Sequence, residues 1–99
     1  MAMILVTSQK IREAAENLGQ LNRQFKGKTE ELMTREQALC QMWEGQAKNA
    51  FHGAFEKDSR QMEAFHGLVN KYVQVLLEIA QRYEQAEARN AEIAGGRSY

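Results

Sequence analysis

The chain has 99 residues, no proline and one cysteine, which suits one small domain and excludes an internal disulfide. Its 13 basic and 13 acidic side chains cancel. Residues 1–50 carry seven Lys/Arg and six Asp/Glu, and residues 51–99 carry six and seven, so neither half is the dense basic face that nucleic-acid binding needs. The longest apolar runs, Met3-Ile4-Leu5-Val6 and Val75-Leu76-Leu77, fall far short of the ~20 residues that cross a bilayer.

Residues 1–10, MAMILVTSQK, lack the basic start, long apolar stretch and small-residue cleavage site of a secretory signal peptide. A first helix is predicted from about residue 8 to 41, because the hydroxyl of Thr7 or Ser8 can cap its free N–H groups. Along it Ile11, Leu18, Phe25, Leu32 and Leu39 recur every seven residues, the spacing of a seam between long packed helices. The neighbouring positions are mixed, with Asn22, Thr29, Arg35 and Glu36 among them, so the apolar face is narrow. Gly19 and Gly27 each cost about 1 kcal/mol inside a helix, and a kink near Gly27 is compatible with the pattern.

The pattern breaks at 42–46, around Met42-Trp43-Glu44-Gly45. Gly45 suits a backbone with φ > 0 or the start of a second helix without a side-chain clash, and Trp43 is a large plate able to close the end of a bundle. A second helix is predicted over about 47–88. It carries two apolar rows at heptad spacing: Phe51, Phe65, Tyr72, Ile79, Ala86 and Ile93, interrupted by Asp58, and Phe55, Met62, Val69, Leu76 and Tyr83. Leu68 and Val75 widen this face to roughly 140° of arc. Residues 89–99, ending Gly95-Gly96-Arg97-Ser98-Tyr99, lose strong periodicity and are expected to form a frayed tail. The short break implies an antiparallel helix–turn–helix hairpin, an all-α fold spanning 1–99 as one domain. A two-helix rod cannot cover stripes of this length, so two hairpins are expected to dimerise into a four-helix bundle.

Trp43-Glu44-Gly45-Gln46-Ala47 followed by Phe51 and Phe55, placed mid-chain in about a hundred residues that open Met1-Ala2-Met3-Ile4, resembles the WXG (ESAT-like) family exported by type VII (ESX) secretion systems. The resemblance spans nearly the whole chain. It implies export from the cytoplasm of a Gram-positive bacterium without a cleaved signal peptide, and dimerisation. The partner is an identical chain, to which balanced charge and likeness to the homodimeric type incline the reading, or another W-x-G protein. Other implied partners are the secretion ATPase and a larger co-secreted toxin; the exported protein would be an effector or a carrier, with roles in virulence or interbacterial competition. The family's C-terminal Tyr-x-x-x-Asp/Glu export motif matches Tyr83 and Glu87, one helical turn apart. Tyr83 also continues the row of Leu76, the ordinary packing alternative.

No catalytic set, cofactor motif or metal site is expected. His52 with Glu56, and Glu63 with His66, each offer two ligands one turn apart, but the histidines are 14 residues apart, about 21 Å along a helix. Both are read as exposed surface histidines, and Cys40 as a buried or half-buried small side chain rather than a nucleophile. Two other classes remain: a lytic amphipathic protein, against which the Lys/Arg-poor polar sides argue, and a cytoplasmic coiled-coil adaptor that is not exported.

Overall fold

A computed structural model describes residues 7–96, with side chains described through residue 91. The Met1-Ala2-Met3-Ile4 opening, the side chain of Ile93 and the end of the tail at 97–99 lie outside the described residues. Two helices, α1 (Ser8–Gln41) and α2 (Gln46–Gly96), make up the fold. Thr7 caps α1: its backbone is extended and its hydroxyl accepts from the Lys10 amide at 3.2 Å. At the other end the Met42 amide donates to the Leu39 carbonyl, which tightens the last turn. Gly45 then sits at φ 115°, a backbone region in which a side chain is strained. Its carbonyl accepts from the Asn49 amide and opens α2.

The helices are 34 and 51 residues long, about 51 Å and 76 Å, in a molecule 84 × 28 × 16 Å. α1 continues through Gly19 and Gly27. α2 runs past residue 88, where the sequence reading ended it, to Gly96. The segment lacks strong apolar periodicity, yet Ala88, Arg89, Ala91, Glu92 and Ala94 are strong helix formers. Because Ser8 meets Glu87, residues 88–96 project beyond the start of α1.

The line along which the helices touch is not the apolar row expected of α1. Its centre is a different heptad row, Ser8, Ala15, Asn22, Thr29 and Glu36, all buried or half-buried. Opposite it on α2 run His52, Ser59, His66, Val73, Ala80 and Glu87. Ala15 and Ala80 are fully buried, and Gly19 lies against Val73. Small residues let the helices approach closely. Asn22 satisfies its burial by donating to the His66 carbonyl at 3.0 Å and to Asn70 Oδ1 at 2.8 Å. Among the described residues no buried side-chain polar atom is left without a partner.

Candidate functional site: an open apolar face and a polar turn end

Residues three positions after the central row fall on one flank of each helix, and residues four after it on the other. In α1 the first flank holds Ile11, Leu18, Phe25, Leu32 and Leu39; in α2 it holds Phe55, Met62, Val69, Leu76 and Tyr83. The helices are antiparallel, so both flanks lie on the same side of the hairpin. On that side Phe25 lies against Phe65 of the adjoining α2 row, with ring centroids 5.6 Å apart. A shallow apolar groove lined by Leu18, Leu21, Phe25, Phe65 and Val69 follows the same side.

The two α2 rows thus have different fates. Val69 is buried, and Phe55, Met62 and Leu76 are half-buried. In the second row Phe51, Phe65 and Tyr72 stay open, Phe65 at 50% and Tyr72 at 52% exposure, with Leu68 and Val75 beside them, while Ile79 is half-buried. On α1, Ile11 is buried, Leu18 and Phe25 are half-buried, and Leu32 and Leu39 are exposed. The hairpin therefore carries one broad apolar side that it does not cover itself. The opposite flank is polar, with Arg12 forming an ion pair to Glu84 at 2.8 Å.

At the turn, half-buried Trp43 leans on Phe51 with centroids 5.8 Å apart, and Phe51 stacks on Phe55 at 6.4 Å. These rings pack beside Gly45, where the chain reverses. Near the open end, Tyr83 is 46% exposed. Glu87 is exposed too, but its carboxylate is engaged. Its Oε1 accepts from the Ser8 amide at 3.3 Å and its Oε2 from the Ser8 hydroxyl at 2.8 Å. α1 has no acidic residue in its first turn, and Glu87 supplies that negative charge from the other helix, where the dipole favours it. Glu87 is thus a clasp between the helices as well as a surface carboxylate, which its spacing from Tyr83 does not reveal.

Neither histidine is the exposed surface residue expected: His52 and His66 are both half-buried in the α2 row that faces α1. His52 does not stand alone on the surface: Glu36 Oε1 lies 2.6 Å from its Nδ1, and Glu56 Oε1 lies 3.2 Å from its Nε2. The Cys40 thiol donates to the same Glu36 oxygen at 3.0 Å. The spacing of the histidines along α2 carries no trace of these partners, because the turn brings Glu36 and Cys40 from α1. Glu36, treated as a polar interruption of the stripe, is one of the most buried residues, at 5% exposure.

Hydrogen bonds from Cys40 and then His52 hold the Glu36 carboxyl below its ordinary value of 4.5. The same bond to Glu36 holds His52 above 6.5, with the charge of Glu56 adding, and raises the Cys40 thiol. Lys48 is the other charge facing the cluster. The stabilisation from Glu36 is complete above 4.5 and is lost as pH falls through its lowered value. That from His52 is complete below 6.5 and is lost as pH rises through its raised value. Their joint contribution is therefore greatest between 4.5 and 6.5. Denaturant melts with a chelator present should show stability declining above that window, and His52→Gln should remove most of the decline.

Fold and site together define a two-helix hairpin with a W-x-G turn and one uncovered apolar side. The chain belongs to the WXG100 family, proteins of 100 residues with WXG, whose family model matches residues 3–88. Among solved structures it is similar to the secreted protein EsxB from Bacillus anthracis strain Sterne, as a selenomethionine-labelled crystal and as a point mutant. Each has a TM-score of 0.78 at 20% identity and covers 88% of this chain, with 99% and 97% of the respective EsxB chains covered. No curated protein matches.

Proposed function

We propose that the protein is a small substrate of a type VII secretion system, exported as one half of a four-helix bundle whose other half is a second copy of the chain. The observation that carries this reading is the one-sided apolar face. Stripes from both helices lie open on the same side, and an isologous pairing covers both at once. Family membership supports export, as does the likeness to EsxB, itself described as a secreted protein. Among the described residues no helix is long and apolar enough to cross a membrane.

In this reading Tyr83 and Glu87 form the signal read by the secretion ATPase, and Trp43 and Gly45 set the turn. Ile11, Leu18, Phe25, Leu32, Leu39, Phe51, Phe55, Phe65, Val69, Tyr72, Leu76 and Ile79 form the combined core. The exported dimer acts as an effector or accompanies a larger toxin. Sedimentation of the purified chain should give twice its 11.3 kDa mass at micromolar concentration. The intact protein should also reach the culture medium of producing cells and vanish from it when the secretion ATPase is deleted. A compact monomer, or release that ignores the ATPase, would overturn the corresponding half of the proposal.

A further inference from the structure

The hairpin is built differently at its two ends. Among the described residues the buried apolar ones, Ile11, Ala15, Val69 and Ala80, all lie in the half away from the turn. In the turn half, the buried position of the central row is taken by Glu36, whose side chain is only 4% exposed. Around it the helices place Cys40 Sγ and His52 Nδ1, so that one carboxylate oxygen, one sulfur and one imidazole nitrogen lie within 4.8 Å of one another. Glu36 and Cys40 are one turn apart on α1, and His52 comes from α2.

We propose that Glu36, Cys40 and His52 form a zinc site that ties the two helices together beside the turn. The ligand types fit. Thiolate and imidazole together favour zinc over magnesium or calcium, and a carboxylate completes a three-ligand set with a fourth position for water. Glu36 carboxylate and Cys40 thiolate bring two negative charges, which match one Zn2+. Binding sends the Cys40 thiol proton to solvent, and with it the second proton of His52 where the ring is charged; the ring keeps one proton, on Nε2 toward Glu56.

The distances fit after a small adjustment. Donors around a tetrahedral zinc stand about 3.5 Å apart, and here the three pairs are at 2.6, 3.0 and 3.9 Å. Withdrawing the Glu36 carboxylate by less than ~1 Å, within the reach of a flexible side chain, opens the space. The outer support is already in place. Nε2 of His52 faces Glu56 Oε1 at 3.2 Å, the carboxylate brace that orients a metal-bound imidazole and fixes its tautomer. The site is also reachable. Cys40 stands four positions after Glu36, whereas Leu39 of the apolar face stands three after it, so the thiol lies on the flank away from the apolar face. Zinc binding and dimerisation therefore use different surfaces, and either can fail without the other.

The test is titration of the reduced full-length protein with zinc, followed by calorimetry, and with cobalt(II), followed by absorption. One metal should bind per chain, and cobalt should give thiolate charge-transfer absorption with the intense visible bands of a four-coordinate centre. Cys40→Ser and His52→Ala should each weaken zinc binding at least ~100-fold, and Glu56→Gln about 10-fold. His66→Gln should have no effect. Zinc should raise the melting temperature of the native protein but not that of Cys40→Ser, whose far-ultraviolet dichroism serves as the folding control. Absence of saturable binding, a cobalt spectrum without thiolate absorption, or unchanged affinity in folded Cys40→Ser would each overturn the proposal.

Discussion

Tyr72→Glu should yield a helical hairpin that no longer pairs with a second copy. Tyr72 sits at the middle of the open face, 52% exposed and flanked by Phe65, Leu68 and Val75. In a lone hairpin the substitution exchanges a half-exposed phenol for a carboxylate that reaches water, and glutamate is the better helix former. Hairpin stability should therefore change by no more than about 0.5 kcal/mol. In the proposed bundle the same position is enclosed by apolar side chains of both copies. A carboxylate there loses its hydration and finds no partner, a cost of several kcal/mol. Association should weaken by at least ~100-fold, which corresponds to about 2.7 kcal/mol. Sedimentation across a concentration series measures this directly. Gln81→Glu, an exposed change on the polar flank, is the matched control and should leave association unchanged. If Tyr72→Glu associates as tightly as the native chain, the open face is not the dimer surface.

Glu87→Ala should keep the protein inside the cell. The proposed signal pairs its carboxylate with Tyr83 one turn earlier, and a receptor that reads both loses its charged contact. The structure adds a second consequence. The carboxylate also holds the first turn of α1 through the amide and hydroxyl of Ser8, so its removal should destabilise the hairpin by about 1 kcal/mol. That is too little to unfold a dimer but enough to loosen the open end. Ser8→Ala separates the two effects, because it removes the hydroxyl bond and leaves the Glu87 charge in place. Secretion assays should show Glu87→Ala retained and Ser8→Ala exported. Should both be retained, the machinery requires the clasped end rather than the carboxylate itself. Should both be exported at the native rate, the Tyr83–Glu87 match carries no signal.

Much of the architecture was legible in order along the chain. Thr7 or Ser8 marked the start of α1, Trp43 and Gly45 marked the break, and proline-free, helix-favouring stretches lay on either side. These signals are local: a cap, a turn glycine and intrinsic propensity act within a few residues, and their spacing survives in one dimension. The apolar rows were legible for the same reason, as was the conclusion that one hairpin could not bury all of them.

Only the tertiary structure decided which row faces which partner. Heptad spacing nominates the row of Ile11, Leu18, Phe25, Leu32 and Leu39 as the seam. The helices instead meet along Ser8, Ala15, Asn22, Thr29 and Glu36, which hydrophobicity alone could not nominate. Close approach favours small side chains, and hydrogen bonds make a buried asparagine or glutamate tolerable. Both depend on what stands opposite. The relation of Glu36 and Cys40 to His52, like that of Ser8 to Glu87, joins residues 12 to 79 positions apart. No periodicity along a single helix encodes such pairs. They exist because the turn at Gly45 sets the register between the two helices, and that register places a thiol, an imidazole and a buried carboxylate together at one end and clasps Glu87 to Ser8 at the other.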